Sequence, residues 1–207
     1  NVTNKVDQNT GLEIISLHGK DREYGKISDN DLIDINMMIF DIQDVGTRFY
    51  THISTLHYVM EACARNNIPL LVFDRPNPNG NYIDGPVLEN ENKSFVGMHP
   101  VPIVYGMTIG EYAQMINGES WLNTKVKCNL KVIKILNYEH DYNYSLLIKP
   151  SPNLPNDRSI FLYPSLCLFE GTNVSVGRGT TNQFQVFGSP YLDQKIYSFT
   201  LLPYYFV

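Results

Sequence analysis

The stretch that decides the fold is NMMIFDIQDVGTRFYTHISTLHYVMEACARNNIPLLVFDRPNPNG, residues 36–80. It begins with a short, mostly apolar run, 36–42, which is typical of a strand buried on both faces. Apolar residues then recur at helical spacing from 53 to 64. A second buried strand, 69–74, leads into the strong turn residues RPNPNG. Strand, helix and strand in this order predict a parallel sheet with a right-handed crossover.

The rest of the chain continues the alternation of strands and helices. Four further elements are predicted: a helix that begins at the capping box 108–111, a strand at 129–135, a short helix at 157–169 interrupted near Pro164, and a strand at 184–187. This order predicts an α/β layered domain with a mostly parallel sheet.

Composition narrows the class of protein. The chain has 207 residues, 43% of them hydrophobic and 18% charged, which predicts a globular domain with a real core. The net charge of −5 without a basic run argues against nucleic acid as a partner. No run reaches the roughly 18 apolar residues of a transmembrane segment. Cys63, Cys128 and Cys167 lie far apart without a CxxC pair, so we predict buried free thiols.

Several common chemical motifs are missing. There is no GxGxxG after a strand, no P-loop, no HExxH and no GxSxG, so we predict neither a metal nor a cofactor. His52 and His57 are five residues apart on the predicted helix and are interpreted as surface or packing residues. His99 lies in a predicted loop, where a ligand contact is the alternative to a structural role.

Polar side chains follow the first two predicted strands. In an open parallel sheet, ligands bind beyond the carboxyl ends of the strands, where neighbouring loops face a shared crevice. The candidates at these ends are Asp41, Asp44, Arg48, Asp74, Arg75 and Asn77. A structural interpretation stays open, because aspartates often cap helices and Arg75 could simply pair with Asp41.

A second polar segment is EGTNVSVGRGTT, residues 170–181, which can bury little apolar surface. Glu170 follows the apolar run LCLF, so partial burial is predicted to raise its pKa toward that of a general acid. Asn173, Arg178 and Thr180 could supply hydrogen-bond donors around it. The alternative is a glutamate that holds its own loop by bonding backbone N–H groups.

Several runs together resemble a known family. They are FDIQDVGTRFYTHISTLHYVMEA, FDRPNPNG with DGPVL, SFVGMHPVPIVYGMTIGE, PSPNLPN and YPSLCLFEGTNVSVGRGTT. In this order they resemble the NamZ-type exo-β-N-acetylmuramidases, formerly a domain of unknown function, over nearly all of residues 5–192. The resemblance implies release of N-acetylmuramic acid from the non-reducing end of peptidoglycan fragments, and an extracytoplasmic (periplasmic or secreted) location.

The resemblance also implies a domain organisation. Residues 1–192 would form the Rossmann-like N-terminal domain without its first segment, and residues 193–207 would begin the C-terminal region. The family's Gly-Pro-Glu-His-Gly-like segment, whose glutamate is a catalytic candidate, is not among these 207 residues. The chain is therefore expected to be a piece truncated at both ends.

The expected site joins both polar segments. Glu170 and Asp41 are the catalytic candidates, and the expected substrate-binding residues are Asp44, Arg48, Asp74, Arg75, Asn77, Asn173, Arg178 and Thr180. An arginine, Arg48, Arg75 or Arg178, would bind the sugar carboxylate in a two-pronged contact.

The reaction and two rival functions stay open. Retention, inversion and substrate-assisted catalysis all remain possible mechanisms, because carboxylate separations decide between the first two. The rival functions are a non-catalytic muropeptide-binding module and an unrelated α/β hydrolase or nucleotide-binding protein.

Overall fold

The computed structural model describes residues 3–17 and 25–192. The chain divides into two compact units, Asn1–Tyr142 and Asn143–Val207, and each is described by itself. The division predicted from the sequence, at residue 192, stays a prediction, and residues 193–207 lie outside the described part. No helix in the described part is long and apolar enough to cross a membrane.

The first unit contains a parallel sheet of three strands with helices between them. Its elements are β1 (Lys5–Val6), β2 (Glu13–Ile14), β3 (Met38–Phe40), α1 (His52–Asn66), β4 (Leu70–Phe73), α2 (Ile109–Gly118) and β5 (Leu130–Ile133). β1 and β2 form a separate antiparallel pair, whereas the parallel sheet has the order β3-β4-β5. The α/β class and the strand–helix–strand unit predicted from residues 36–80 are confirmed.

The two helices of this unit begin and end where their sequences indicate. Thr108 caps α2 by accepting a hydrogen bond from the Glu111 backbone, and Glu111 returns a bond to the Thr108 N–H. α1 ends at Asn67, whose φ of 53° is the left-handed conformation that asparagine adopts readily. Ile53, Leu56 and Met60 of α1 are fully buried. The helical spacing therefore identified the face that packs on the core.

The parallel sheet is buried on one face only. Phe40, Val72 and Val132 are aligned across the three strands on the face of the core. On the other face Ile39, Phe73 and Ile133 are 52%, 37% and 43% exposed. The prediction that the strands are buried on both faces is therefore wrong. An apolar sequence allows a strand to be buried on both faces, but burial also needs a second layer of structure, which the sequence of the strand does not provide.

A buried polar network crosses the core of the first unit. His57 contacts Glu61 at 3.0 Å and His99 at 2.9 Å, and His99 reaches the Tyr112 hydroxyl at 3.1 Å. Two donors of Asn123 complete the bonds to Glu61. His57 is thus a packing residue, as one of the two sequence interpretations had it. His99 is 2% exposed and stacks on Trp121, so its loop position is structural.

The pKa values of His99 and Glu61 in this network are both lowered. Burial is the main cause that lowers the pKa of His99 to about 3. Burial opposes ionisation of Glu61, but hydrogen bonds from His57 and Asn123 together outweigh it and lower its pKa to about 2. The folded core therefore favours a neutral His99 beside an ionised Glu61.

The cysteines are free thiols, two of them in the core. Cys63 and Cys128 are buried, and burial raises their pKa values to about 11 and about 12. Cys167 in the second unit is only partly buried, so the prediction of buried thiols holds for two of the three.

The second unit is built on α3 (Asp157–Leu166), which continues into a 3-10 turn, Cys167–Gly171. α3 passes through Pro164 without ending there, so the predicted interruption is wrong. Ile160, Tyr163 and Pro164 are all buried, and their packing offsets the hydrogen bond that proline removes. The helix begins at Asn156, whose side chain accepts a hydrogen bond from the Ser159 N–H.

The strand predicted at 184–187 is also wrong. Phe184 has a φ of 51°, which a strand cannot contain, and its N–H donates to the Val176 carbonyl at 2.8 Å. Its buried ring packs edge-on against Tyr163. The segment FQVF therefore begins with a turn that buries one aromatic ring.

Candidate active site

The carboxyl ends of β3 and β4 bring Asp41 and Arg75 together. Arg75 Nε and Nη2 both lie 2.7 Å from Asp41 Oδ1, and both side chains are about two-fifths exposed. The two loops are adjacent because β3 and β4 pair in parallel register. The guanidinium holds the carboxylate at the protein surface, where a ligand can reach it.

Asp44, three residues later, is buried rather than open to solvent. Its Oδ2 accepts hydrogen bonds from the Gly46 N–H at 2.7 Å and from the Tyr105 hydroxyl. Its Oδ1 is buried and has no partner among the described residues. Burial is the main cause that raises the pKa of the Asp44 carboxyl, although the two hydrogen bonds oppose it. A buried carboxyl group with a raised pKa is unusual enough to mark a functional candidate.

Asn77 joins the same two loops from the β4 side. Its Nδ2 donates to the Met107 carbonyl at 2.8 Å, and its Oδ1 accepts from the Asn79 N–H at 2.8 Å. Asn79 in turn donates to the Val45 carbonyl. Gly46 has a φ of +72° and its Cα lies against the Asn77 amide. Asn77 thus holds the loops together, and its predicted contact with substrate stays a prediction.

Arg48 is buried at 5% exposure. Its Nη1 donates to the carbonyls of Pro86 and Val101, while its Nε has no partner in the described ranges. The sequence expected Arg48 to bind a substrate group. The structure uses its guanidinium to tie down the backbone at residues 86 and 101, so the predicted ligand contact is untested.

Asp74 ends β4 and faces the amino end of α2. Its Oδ1 accepts from the Gly110 N–H at 2.7 Å and the Arg75 N–H at 3.0 Å, and its Oδ2 accepts from the Thr108 hydroxyl at 2.9 Å. Burial is the main cause that raises the pKa of Asp74, against these hydrogen bonds. Gly110 permits the approach, because a Cβ there would lie 2.7 Å from the Asp74 carboxyl carbon.

Glu170 and Arg178 form an ion pair within the second unit. Arg178 Nη1 donates to Glu170 Oε1, and the Cys167 thiol donates to Oε2 at 3.1 Å. Among the described residues both partners of Glu170 are side chains, and no backbone N–H group donates to it there. The Glu170 side chain is 27% exposed. Whether this loop and the sheet edge serve one cleft stays a prediction.

Thr180 and Asn173, the other two candidates of that loop, have less structural support as substrate-binding residues. Thr180 donates to the Gly177 carbonyl at 2.7 Å and accepts from the Asn182 N–H at 3.0 Å, which shapes the turn. Asn173 is exposed, with no side-chain hydrogen bond to the described residues. Their predicted roles toward a sugar are untested.

Two cavities at the carboxyl edge of the sheet were missed by sequence reasoning. The smaller, of about 260 Å³, is lined by Asp74, Thr108, Glu111, Gln114, Val132, Lys134, Ile135, Tyr138 and His140. The larger, of about 590 Å³, is lined by Gly80, Asn81, Tyr82, Ile83, Tyr105, Gly106, Met107, Glu111 and His140. The signal was present: Tyr138 and His140 come soon after the strand predicted at 129–135, but the carboxyl-end rule was applied only to the first two strands.

Glu111 and His140 line both cavities. They form an exposed pair with His140 Nε2 3.0 Å from Glu111 Oε1. The hydrogen bond to Glu111 is the main cause that raises the pKa of His140. Within the described ranges, no group of three or more His, Cys, Asp or Glu side chains is arranged to hold a metal ion.

Comparison with known families agrees with this architecture. The family described as "Exo-beta-N-acetylmuramidase NamZ, N-terminal" matches residues 1–158, and its C-terminal counterpart matches residues 161–202. The chain belongs to the NamZ family. The resemblance read from the sequence is confirmed, and NamZ membership removes the support for an unrelated α/β hydrolase or nucleotide-binding protein.

Individual NamZ relatives are similar over most of the chain. The peptidoglycan beta-N-acetylmuramidase NamZ of Bacillus subtilis (strain 168) is 45% identical over 192 residues, which are 90% of this chain and 45% of that protein. Crystal structures of two DUF1343 family proteins from Bacteroides fragilis NCTC 9343 superpose with TM-scores of 0.83 at 51% and 38% identity. They cover 89% and 91% of this chain, which in turn covers 50% of each. The chain thus spans about half the length of the relatives it matches.

Proposed function

We propose that the protein carrying this chain is an exo-β-N-acetylmuramidase, which releases N-acetylmuramic acid from the non-reducing end of peptidoglycan fragments. The observation that carries the proposal is the 45% identity, over 90% of the chain, to a peptidoglycan beta-N-acetylmuramidase. The proposed smallest substrate is the N-acetylmuramic acid–N-acetylglucosamine disaccharide. A periplasmic or secreted location belongs to the same proposal, because the cell wall is the source of the substrate.

The sheet edge supplies groups suited to glycoside hydrolysis. This reaction commonly uses one carboxylate as an anion and one carboxylic acid as a proton donor. Asp41, beside the Arg75 guanidinium, suits the anionic role as base, nucleophile or stabiliser of the positively charged transition state. Asp74 lines a cavity, and its raised pKa suits a proton donor. Glu170, with Arg178 as its partner, is the alternative proton donor, as predicted from the sequence.

The test is release of N-acetylmuramic acid by the full-length protein from a chromogenic muramic-acid glycoside and from the disaccharide. Asp41→Asn and Glu170→Gln are each expected to lower kcat about 100-fold, the usual loss when an acid or base is removed. Arg178→Ala is expected to follow Glu170→Gln, because it frees the carboxylate from its partner. Glu91→Gln, an exposed glutamate in a short 3-10 turn, is the control and should retain full activity.

Two results would change the assignment. Unchanged rates for Glu170→Gln and Arg178→Ala would remove the loop at 170–181 from the site. Tight binding of the disaccharide by the unmodified protein without any turnover would favour the rival function, a non-catalytic muropeptide-binding module.

A further inference from the structure

The three arginines expected to bind a sugar carboxylate already have partners. Arg75 is paired with Asp41, and Arg178 with Glu170. Arg48 donates to two backbone carbonyls in the interior. A second carboxylate bound at Arg75 or Arg178 would have to share the guanidinium with the carboxylate already paired with it. A cation without a partner is the better candidate.

Lys134 is such a cation. It follows β5 directly and lines the smaller cavity together with Val132. Its ammonium group makes no hydrogen bond or ion pair with the residues that the structure describes. Gln114, on α2, lines the same cavity and its amide is likewise unbonded there. The cavity therefore offers donors that are ready for a ligand.

The carboxylates in this cavity do not use up the charge of Lys134. Asp74 accepts hydrogen bonds from Gly110, Arg75 and Thr108. Glu111 accepts from the Thr108 N–H and from His140. Neither carboxylate is hydrogen-bonded to Lys134 in the part of the chain that the structure describes, so its ammonium group can bind an anion.

The larger cavity can accept the rest of a sugar. It is a shallow, widely open depression of about 590 Å³, so a sugar ring lying in it would keep one face exposed to solvent. Tyr82, Ile83 and Met107 give it an apolar wall on which the C–H face of a sugar ring can pack. Glu111 and His140 belong to both linings, so a ligand that occupies both cavities passes this pair.

We propose that Lys134 binds the carboxylate of an acidic amino sugar in the smaller cavity, while the sugar ring lies in the larger cavity beside Glu111 and His140. The identity of the sugar, N-acetylmuramic acid, rests on the proposed function. Lys134 would then be a specificity-determining residue, since it distinguishes this sugar from N-acetylglucosamine, which has the same ring and acetamido group but no carboxylate.

Titration calorimetry on the full-length protein tests the proposal with these two sugars as probes. The unmodified protein is expected to bind N-acetylmuramic acid more tightly than N-acetylglucosamine. Lys134→Gln is expected to lower the affinity for N-acetylmuramic acid about tenfold, which is the contribution of one charge-assisted hydrogen bond. The affinity for N-acetylglucosamine should stay unchanged. Lys134→Arg should restore most of the preference.

Lys131→Gln is the matched control, because Lys131 lies on the same strand with its side chain on the opposite sheet face. It should leave both affinities unchanged. If Lys134→Gln lowered the affinity for both sugars equally, the effect would be structural and the proposal would be overturned. An unchanged acid preference in Lys134→Gln, with hydrolysis intact, would overturn it and leave the proposed function standing. Absence of both hydrolysis and sugar binding in the unmodified protein would overturn the two together.

Discussion

Gly46→Ala is expected to lower the free energy of unfolding by about 3 kcal/mol, the sum of a strained backbone and an overpacked site. Gly46 has a φ of +72°, and an added Cβ would lie 2.7 Å from Asn77 Cγ. Asn77 cannot move aside, because it is 3% exposed and bonded to Met107 and Asn79. Urea unfolding of the variant, followed by far-UV circular dichroism, measures the loss.

Gly11→Ala separates the two contributions. Gly11 has nearly the same φ, +71°, but nothing lies within 4 Å of an added Cβ. This control therefore carries only the backbone term, about 1 kcal/mol. Equal losses in the two variants would contradict the close packing of Gly46 on Asn77.

Acid is expected to destabilise the first unit through His99. The pKa of His99 is about 3 in the folded protein, against an ordinary 6.5. The folded state therefore binds a proton at His99 more weakly than the unfolded state does. The stabilisation is complete above pH 6.5 and falls as the pH drops toward 3, by about 1.4 kcal/mol per pH unit. At pH 4 the loss that His99 alone causes should reach about 3 kcal/mol, while Asp44 and Asp74, whose pKa values are raised, act in the opposite direction. Glu61 adds a loss of the same sign between pH 4.5 and about 2, because its folded pKa is also depressed.

The measurement is the slope of unfolding free energy against pH between 6 and 4. Circular dichroism is the suitable signal, because Trp121 stacks on His99 and its fluorescence would respond to the ring itself. His99→Gln should flatten the slope by about one proton, whatever it does to stability at pH 7. His140→Gln is the control: its pKa is raised, so His140 is protonated in both states over this window. Parallel curves for His99→Gln and the unmodified protein would rule out the role of His99.

Local patterns in the sequence predicted the elements that depend on neighbouring residues. The helical spacing at 53–64 and the reciprocal cap of Thr108 and Glu111 each involve contacts within a few positions, and both are confirmed. The pairing of Asp41 with Arg75 also followed, since parallel neighbouring strands end side by side. The turn at Phe184 could not be predicted from local sequence, because packing of its buried ring against Tyr163 overrides the local strand preference.

The candidate site was predicted less completely than the fold. Sequence distinguishes charged residues from apolar ones, but it does not show which charges are already paired. Arg48 and Arg178 were expected to bind a ligand, and each has a protein partner. Lys134 lies within the strand predicted at 129–135 and follows β5 in the structure; it was not among the candidates, because it belongs to no motif. Long-range contacts that only the folded chain establishes decided these cases.

The two cysteines in the core can report transient opening of the fold. A thiol reacts with alkylating reagents as the thiolate, and Cys63 and Cys128 are both buried and held in the protonated form near neutral pH. Reagent can reach them only when the surrounding helices and strands transiently separate. The time course of their labelling, read by mass spectrometry in native buffer, would therefore report how often this interior is exposed, without denaturant and without an added probe.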